Sequence, residues 1–382
     1  MNGRKNVLST LKKSLSKTDK VIWMHVASLG EYEQGLPILE KLRENHPKHK
    51  ILLTFFSPSG FEVKKNSKAA DIITYLPLDT ISNASKFIAL VKPEMALFIK
   101  YEIWPNYLNI LKKEEIPTFL ISALFSKKQI YFKWYGGFMR KNLMVFNHFF
   151  LQDENSKQLL KSIGIPNTSV TGDTRFDRVS EILSQDNTLD FMDSFKENAL
   201  CFVVGSSWPE DEELIIDFIN SSNENLKYVI APHNIKHEHI SRLKVSCTKK
   251  TLLYSEITNQ NLADYKVLII DTIGLLTKIY SYADIAYVGG GFKTGLHNTL
   301  EPAVFGIPIM TGPNYQGFKE AEDLVCEKGI LISNNKEVFN STFKKLVKNK
   351  SFRESTGTIT KNYVSSNTGA TIQIMRYLQD VI

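Results

Sequence analysis

The sequence contains little cysteine and no long apolar run. Its three cysteines, Cys201, Cys247 and Cys326, are odd in number and far apart, which excludes a disulfide framework and any metal-ligand spacing. No run of about 18 apolar residues occurs, so the sequence predicts no membrane-spanning helix. We therefore expect a protein of the reducing cytoplasm that neither crosses a bilayer nor binds a metal.

Composition indicates a folded chain with a preference for anionic partners. Apolar residues make up 43% of the 382 residues and charged residues 23%, which is ordinary for soluble domains, and the length predicts two of them. The net charge of +7 favours nucleic acid, phosphate-rich lipid or a membrane surface as partner. In the first twenty residues, Leu8, Leu11 and Leu15 share one helical face among six basic residues. An interfacial helix and a solvated basic helix both fit this pattern.

Two series of short β-rich runs alternate with helical-period segments. This alternation predicts an α/β fold with two doubly wound, Rossmann-like domains that face each other across a cleft. We predict an N-terminal domain over residues 1–180, a C-terminal domain over 195–360 and, over 361–382, a C-terminal helix that packs back on the N-terminal domain. The predicted strands are 21–27, 51–56, 72–76, 95–99, 118–122, 149–151 and 169–171, then 201–204, 227–230, 267–270, 285–288, 307–310 and 330–332.

The segment 284–313, DIAYVGGGFKTGLHNTLEPAVFGIPIMTGP, carries the strongest local signal. A buried strand ends in a glycine triplet and leads into a short helix, an arrangement that lets backbone approach an anionic ligand. Asn298 followed by Glu301 also fits a capping box, so a purely structural role stays open. The candidate residues for this anion site, which would hold a phosphate-bearing ligand, are Gly289, Gly290, Gly291, His297, Asn298 and Glu301.

The turn after the first predicted strand contains Ser28, Gly30 and Glu31. Ser28 and Glu31 fit a capping box, but Pro37 would then lie deep inside the helix and clash with a carbonyl one turn back. A helix that starts near residues 33–35 avoids this clash and leaves Glu31 in a loop that faces the cleft. There its carboxylate is a candidate general base, an interpretation that we weigh equally with capping.

Other strand ends carry polar and aromatic residues. Glu102 and Trp104 follow the fourth strand, where a carboxylate beside an indole suits a sugar, although a packed Trp next to an exposed Glu fits as well. In the second half, Ser206 and Ser207 offer donors to phosphate or sugar oxygens, and Pro232 with His233 ends the next strand. A lone histidine in such a place is more often structural.

From Ser126 to Gln152 the sequence has no acidic residue. Basic side chains alternate there with aromatic ones, a mixture that suits a lipid interface or single-stranded nucleic acid, while an amphipathic helix with buried aromatics is the structural alternative. The basic residues are Lys127, Lys128, Lys133, Arg140 and Lys141, and the aromatic residues are Tyr131, Phe132, Trp134, Tyr135 and Phe138.

Six motifs in one order resemble the 3-deoxy-D-manno-octulosonic acid (Kdo) transferases of lipopolysaccharide synthesis, which have the two-domain GT-B glycosyltransferase fold. The motifs are ASLGE (27–31), YEIWPN (101–106), GDTRFDR (172–178), GSSWPEDE (205–212), GLHNTLEP (295–302) and NTGAT (367–371).

The resemblance implies an inverting transferase that uses CMP-Kdo as donor and a lipid A precursor (lipid IVA) as acceptor, without metal or other cofactor. It implies that Glu31 is the general base and that His297, Asn298 and Glu301 surround the CMP moiety. We expect Ser28, Gly30, Glu102, Trp104, Lys127 and Lys128 to bind the acceptor. The expected location is peripheral, at the cytoplasmic face of the bacterial inner membrane. No nucleic-acid partner is expected, and the sequence carries no signal for an oligomeric state.

Two departures from the family matter. Members often have Pro-Arg-His where this chain has Pro232, His233 and Asn234, so an expected phosphate-facing Arg is absent. Members also usually carry an N-terminal membrane anchor, so attachment here is expected to depend on the basic leader and the 126–152 segment. The alternative functions are another GT-B transferase or an epimerase that uses a UDP-sugar and, in a different class, a nucleic-acid-binding protein.

Overall fold

A computed structural model describes residues 4–293 and 295–381. Contacts divide the chain into two compact units. The first unit runs to Arg178 and also includes the residues from Asn367 onward, while the second unit is Val179–Ser366.

The first unit alternates strands and helices. Its strands are β1 (Val21–Val26), β2 (Lys50–Phe55), β3 (Ile72–Tyr75), β4 (Pro93–Ile99), β5 (Thr118–Ala123), β6 (His148–Leu151) and β7 (Thr168–Val170). Its helices are α1 (Val7–Ser14), α2 (Leu29–Asn45), α3 (Pro58–Lys64), α4 (Ile81–Val91), α5 (Pro105–Lys113), α6 (Gly137–Leu143), α7 (Glu154–Ser162) and α8 (Thr174–Ser180), which extends into the second unit. The sheet is parallel with strand order β3-β2-β1-β4-β5-β6-β7.

The second unit repeats this plan. Its strands are β8 (Leu200–Ser207), β9 (Leu226–Pro232), β10 (Thr251–Leu253), β11 (Val267–Ile269), β12 (Ile285–Val288), β13 (Ile309–Thr311) and β14 (Ile330–Ile332). Its helices are α9 (Asp190–Lys196), α10 (Pro209–Ser221), α11 (His237–Ser246), α12 (Leu276–Ile279), α13 (Leu300–Val304), α14 (Lys319–Cys326), α15 (Lys336–Lys348) and α16 (Lys350–Ser366). The sheet is again parallel, with strand order β10-β11-β9-β8-β12-β13-β14. It differs from the first sheet in that the first strand, β8, has three strands on each side, whereas β1 has two on one side and four on the other.

These observations confirm the predicted fold class, with two parallel, Rossmann-like sheets. The strands are buried on both faces because helices cover both sides of each sheet, which is why they read as continuous apolar runs. In both sheets, successive strands are added on one side of the first strand, β1 or β8, and the later strands are then added on its other side. Ligands of such sheets bind beyond the carboxyl ends of the strands near this point.

The last helix, α17 (Ala370–Leu378), belongs to the first unit. Its apolar residues Ile374, Met375 and Leu378 lie in the same core cluster as Leu39 and Leu42 of α2. The Asp177 carboxylate accepts hydrogen bonds from the backbone N–H groups of Gly369 (2.5 Å) and Thr371 (2.6 Å). The motifs GDTRFDR and NTGAT therefore meet, and together they fix the start of α17.

The start of α2 corrects a prediction. The helix begins at Leu29, not near residues 33–35, so Pro37 lies inside it and Glu31 in its first turn. Pro37 offers no N–H to the carbonyl of Glu33, but the neighbouring carbonyl of Gln34 accepts a 2.5 Å hydrogen bond from the Thr174 hydroxyl. A tertiary contact thus supports the helix beside the proline.

The leader helix α1 packs on the first unit. Val7 and Leu11 are buried in its core, and Leu8 and Leu15 pack against the same cluster. The apolar face is therefore occupied within the protein, so the interfacial-helix interpretation is wrong for this face. Lys12 and Lys13 remain exposed on the other side. Among residues 4–293 and 295–381, no helix has the length and apolar character needed to span a membrane.

Candidate functional site

Glu31 lies just beyond the carboxyl end of β1. Its Oε2 atom accepts hydrogen bonds from the backbone N–H groups of Ala27 and Ser28, the latter at 3.3 Å. Within the described part of the chain, Oε1 receives no hydrogen bond. The carboxylate therefore caps the helix with one oxygen and leaves the other without a hydrogen bond from residues 4–293 or 295–381, so capping does not exclude the predicted role as general base.

The surroundings of Glu31 favour its protonated form. Burial, reinforced by the negative charge of Glu102, raises the pKa of Glu31 to about 7, and the two backbone hydrogen bonds and the Lys100 ammonium oppose this rise. Lys100, at the end of β4, adopts a left-handed backbone conformation with φ of 62°. Such backbone strain is often retained at functional sites. A carboxylate with a pKa near neutrality is suited to exchange protons at physiological pH.

Glu102 and Trp104 come together as the sequence predicts, but they bind each other. The Trp104 indole Nε1–H donates to Glu102 Oε2 at 2.8 Å, and the Trp104 ring packs against Phe56 with centroids 4.9 Å apart. Glu102 is only 9% exposed. The predicted contacts of Glu102 and Trp104 with an acceptor sugar stay a prediction, as do those of Ser28 and Gly30 in the turn before Glu31.

His25 is a site residue that sequence reasoning missed. It is fully buried in β1, and its Nε2 atom lies 3.1 Å from Glu102 Oε2. Its Nδ1 atom lies 2.9 Å from the hydroxyl of Thr54, which also accepts a 2.8 Å hydrogen bond from the indole of Trp23. A polar histidine within the apolar strand VIWMHV was the available signal, since a buried polar side chain needs partners.

The glycine triplet of the second unit packs against the chain itself. All three glycines are buried, and a Cβ atom on Gly289 would collide with the backbone of Ser206 and Ser207, while one on Gly291 would collide with Gly312. Gly290 has φ of 92° and lies against the backbone of Gly295. Close backbone packing is therefore sufficient to require glycine at these positions, and the predicted approach of a ligand to the triplet stays a prediction.

Asp211, also missed from the sequence, holds the glycine loop. It is fully buried in the first turn of α10 and accepts hydrogen bonds from the backbone N–H groups of Trp208 (3.0 Å) and Gly290 (2.9 Å) and from the Tyr287 hydroxyl (2.8 Å). Burial raises the pKa of Asp211, while these three hydrogen bonds oppose the rise. The acid three residues after Trp208 in WPED was the sequence signal.

The two predicted serines differ. Ser207 is 1% exposed, and its hydroxyl donates to Glu212 Oε1 at 2.9 Å, while His239 Nε2 lies 3.1 Å from the same oxygen. The Ser207 proton is therefore used within the protein, and the predicted contact of Ser207 with the donor substrate stays a prediction. Ser206 is half-buried at the end of β8, with φ of 53°. It remains a candidate donor-site residue.

Three aromatic rings form a stack beside Asp211. The indole Nε1–H of Trp208 donates to His297 Nε2 at 2.9 Å, and the two rings are within 11° of parallel. His233 covers both, with centroids 4.5 Å from Trp208 and 4.7 Å from His297. An indole N–H can only donate, so His297 Nε2 is unprotonated. Burial, together with His233, lowers the pKa of His297 to about 4, which agrees with a neutral ring.

Asn298 and Glu301 bond to each other through their side chains, but they do not form the capping box that the sequence left open, because the N-cap residue of α13 is Thr299. Asn298 Oδ1 accepts from the N–H of Leu300 at 3.1 Å, and its amide donates to Glu301 Oε1 at 3.0 Å. Thr277 donates to Glu301 Oε2 at 2.8 Å. The helix α13 itself has five residues and starts at Leu300. The contacts predicted between Asn298, Glu301 and a nucleotide stay a prediction, as does that of the buried Pro232.

The acid-free segment places an aromatic and basic surface on the first unit. Trp134, Tyr135 and Phe138 are 90%, 61% and 68% exposed. Lys127, Lys128 and Lys141 are exposed as well, and we call these six residues the aromatic-basic patch. Arg140 differs, because it donates to the carbonyls of Tyr131 (3.2 Å) and Lys133 (2.9 Å) and so shapes the segment. Tyr131 and Phe132 pack on the core.

A search of the described ranges for metal ligands gives no candidate: within 4–293 and 295–381, no three His, Cys, Asp or Glu side chains are grouped so that they could hold an ion.

Comparisons with known proteins show a similarity in sequence to one family and a similarity in fold to solved structures. A family model described as 3-Deoxy-D-manno-octulosonic-acid transferase (kdotransferase) matches residues 4–178. The chain is 26% identical over 379 residues to the 3-deoxy-D-manno-octulosonic acid transferase of Haemophilus influenzae. This alignment covers 94% of this chain and 86% of the relative. Identity to the enzyme of that name from Aquifex aeolicus is 28% over 325 residues, or 83% of each chain.

Among solved structures, the UDP-GlcNAc 2-epimerase of Neisseria meningitidis matches with a TM-score of 0.67 and 16% identity, over 94% of this chain and 100% of the other. That likeness concerns the fold alone. Together with the two seven-stranded sheets, it shows a two-domain protein with the GT-B fold. Within this fold, the chain is similar in sequence to the 3-deoxy-D-manno-octulosonic acid (Kdo) transferases, which are glycosyltransferases.

Proposed function

We propose that this protein transfers Kdo from CMP-Kdo to the glucosamine disaccharide of a lipid A precursor, lipid IVA, with inversion at the anomeric carbon. The observation that carries the proposal is the Glu31 carboxylate, held by one oxygen beyond β1 and with its pKa raised to about 7. Sequence similarity to the Kdo transferases supplies the donor and acceptor classes.

In the proposed reaction, Glu31 takes the proton from an acceptor hydroxyl as the hydroxyl oxygen attacks the anomeric carbon of Kdo. The new C–O bond forms as the bond from that carbon to the phosphate oxygen breaks, and CMP leaves with the electron pair. Displacement from the opposite face inverts the configuration. A base whose pKa lies near the working pH is often ionised and still accepts a proton readily, which favours this step.

We assign donor binding to the second unit and acceptor binding to the first. The proposed donor site lies at or beyond the carboxyl ends of β8, β9 and β12, where doubly wound sheets bind ligands. Its residues are Ser206, His233, His297, Asn298 and Glu301. Ser28 and Gly30 lie beyond β1, Trp104 beyond β4, and Lys127 and Lys128 beyond β5. The neutral His297 ring can donate one N–H to a phosphate oxygen, in place of the arginine that relatives often carry. No metal ion or other cofactor takes part in the proposal.

Product analysis tests the proposal directly. The protein is incubated with CMP-Kdo and lipid IVA, and the lipid is examined by mass spectrometry. We expect a product that is heavier by one or more Kdo residues, together with released CMP, and neither with Glu31→Gln. Tighter binding of UMP than of CMP in calorimetry would contradict the donor assignment and favour a UDP-sugar enzyme.

We further propose that the aromatic-basic patch holds the protein at the cytoplasmic face of the inner membrane, as a peripheral protein. Exposed rings suit the headgroup depth of a bilayer, and each lysine near an anionic surface contributes about 1 kcal/mol. The perpendicular packing of Trp134 on Tyr135, at 89°, is less suited to stacking successive bases.

Vesicle co-sedimentation tests the patch. Charge reversal at Lys127, Lys128 and Lys141 should release the protein from anionic vesicles. Reversal of Lys141 alone, which has no assigned contact with the acceptor, should weaken vesicle binding without altering transfer to a short-chain, water-soluble acceptor. Arg140 is kept, because its backbone hydrogen bonds support the segment. Reversal of three exposed lysines of the second unit, Lys328, Lys344 and Lys361, is the matched control. Equal sedimentation of both triple variants, or binding to single-stranded RNA in place of vesicles, would refute the assignment.

A further inference from the structure

Glu102, His25 and Trp104 form a buried polar network that the proposed chemistry does not use. Two nitrogen atoms approach one carboxylate oxygen: Trp104 Nε1 lies 2.8 Å and His25 Nε2 3.1 Å from Glu102 Oε2. The indole nitrogen can only donate. Oε2 is therefore an acceptor, as expected for a carboxylate stabilised by N–H donors in a dry environment.

The network extends into the sheet, which fixes the histidine. His25 Nδ1 lies 3.1 Å from the carbonyl oxygen of Thr54 and 2.9 Å from its hydroxyl, and Trp23 donates to that hydroxyl at 2.8 Å. His25, Thr54 and Trp23 are fully buried. The imidazole is therefore held at Nδ1 by Thr54 of β2, and its Nε2 atom is directed at Glu102 beyond β4.

Glu102 also lies near Glu31, because β1 and β4 are neighbouring parallel strands and the two acids follow their carboxyl ends. In agreement with this placement, the negative charge of Glu102 adds to the effect of burial in raising the pKa of Glu31. The other titratable groups near the two carboxyls are few. Lys100 and Tyr101 face Glu31, and Tyr131 faces Glu102. The Lys100 ammonium opposes Glu102, and the two tyrosine hydroxyls are neutral at physiological pH, since burial raises the pKa of each. Glu102 is thus the neighbouring anion that resists ionisation of Glu31.

We propose that His25 and Trp104 are positioning residues that hold the Glu102 carboxylate as a fixed negative charge beside Glu31, so that Glu102 acts on the base through its charge and not by contact with the acceptor sugar. The proposal rests on the proposed function, in which Glu31 is the general base. It gives a role to His25, which is fully buried. It also replaces the predicted contact of Glu102 with the acceptor sugar by an electrostatic role.

The pH dependence of kcat distinguishes the two roles of Glu102. Glu31 must be ionised to act, so kcat rises as the pH increases through its pKa. Glu102→Gln removes the neighbouring charge, so the acid limb should move to lower pH by roughly 0.5–1 unit, with little change in the KM for the acceptor. Glu94→Gln, at the exposed opposite end of β4, is the matched control and should leave the limb in place. An unmoved limb with a several-fold higher acceptor KM would overturn the proposal.

Variants of the two positioning residues complete the test. Trp104→Phe removes the indole donor but keeps a ring against Phe56, so it should move the limb in the same direction by a smaller amount. His25→Gln retains an N–H near the Nε2 position and should preserve the wild-type limb better than His25→Asn, which retains only the Nδ1 side. Neither Trp104→Phe nor His25→Asn should add a shift in the Glu102→Gln background. Additive shifts would overturn the proposal.

A readout that needs no transfer separates this proposal from the proposed function. The carboxyl carbon of Glu31 is titrated by NMR in the wild type and in Glu102→Gln, with Glu31→Gln used to assign the signal. A lower midpoint in Glu102→Gln supports the electrostatic role even if CMP-Kdo is not the donor. Equal midpoints overturn it even if Kdo transfer is observed.

Discussion

The first turns of α2 and α10 occupy the same topological position in the two units and carry the same device. Each helix follows the first strand of its sheet, and each has an acid, Glu31 or Asp211, that accepts hydrogen bonds from backbone N–H groups at the helix start. Asp211 is fully buried and receives three donors, whereas Glu31 is half-buried and bonded through one oxygen.

This comparison shows how one capping geometry serves two purposes. Asp211 caps α10 through the Trp208 N–H and ties the helix to the glycine loop and to Tyr287. Glu31 has one oxygen without a hydrogen bond from the described residues, and its neighbour is a second carboxylate. The local sequence motif therefore does not predict the role of the acid. The number of hydrogen-bond donors that the rest of the fold places around the carboxylate distinguishes the two cases.

The largest expected effect is on catalysis at Glu31. Glu31→Gln should lower kcat by roughly 100-fold or more, because the base is lost, while CMP affinity stays near the wild-type value. Glu33→Gln on the same helix is the control, since Glu33 is paired with Lys64 and Arg178 instead. The measurement is kcat at saturating CMP-Kdo. Near-normal kcat for Glu31→Gln would show that Glu31 only caps the helix and is not the general base.

Asp211→Asn should instead act on stability. The amide presents donors to buried N–H groups, so the free energy of unfolding should fall by about 1–3 kcal/mol. Asp217→Asn, on the exposed side of α10, should change it far less, because that side chain makes a surface ion pair with Lys336. Denaturant titration followed by fluorescence measures both. An unchanged midpoint for Asp211→Asn would show that the two acids do not differ as described.

Trp208→Phe sharpens the comparison from the donor side. The variant keeps a ring under His233 but loses the indole donor that holds His297 Nε2, so CMP affinity should fall by about 1 kcal/mol, or roughly fivefold. Trp134→Phe, at a 90% exposed position, makes the same substitution in the aromatic-basic patch and should leave CMP affinity unchanged. Calorimetric titration with CMP at pH 7.5 provides the values. An unaltered affinity would mean that His297 needs no positioning.

The smallest expected effect is on the pH dependence of stability. The pKa of Glu31 is raised in the folded state to about 7 from 4.5, so folding favours its protonated form, and ionisation between these values costs stability as the pH rises. Glu31→Gln should remove this cost. The difference in free energy of unfolding between Glu31→Gln and the wild type should therefore favour the variant more at pH 8 than at pH 5. For His297 the pKa falls to about 4 from 6.5, so stability is lost as the pH falls between these values.

Unfolding curves at pH 4, 5, 6.5 and 8 check both signs. His297→Gln should flatten the acid side only, and Glu31→Gln the neutral side only. A variant that flattens the opposite side would show that the direction of that group's pKa shift is misassigned.

Much of the fold could be predicted because it depends on local pattern. The apolar runs 285–288 and 330–332 match β12 and β14, and the other predicted strands differ from the observed ones by a few residues at their ends. The edge strand β10 was missed, since Thr251–Leu253 is short and only half-buried. The start of α2 was misjudged because the hydrogen bond from Thr174 beside Pro37 spans 140 residues of sequence separation and leaves no local signal.

The candidate site was predictable in its residue types but not in its partners. Glu31, Glu102 and Trp104 stand where strand ends predict functional residues. That Trp104 and His25 would share one oxygen of Glu102 depends on the packing of β1 against β4, which spacing alone does not reveal. The glycine triplet shows the converse, because its composition suggests a ligand whereas its neighbours are backbone atoms of the same chain.

The central claim is that the fold holds Glu31 ready to exchange a proton near neutral pH. It is tested most directly by NMR titration of the Glu31 carboxyl carbon in the wild-type protein. A midpoint at about pH 7 is predicted, and it should be accompanied by the rise of kcat for Kdo transfer over the same range. A midpoint near 4.5, the ordinary value for a glutamic acid, would contradict the account.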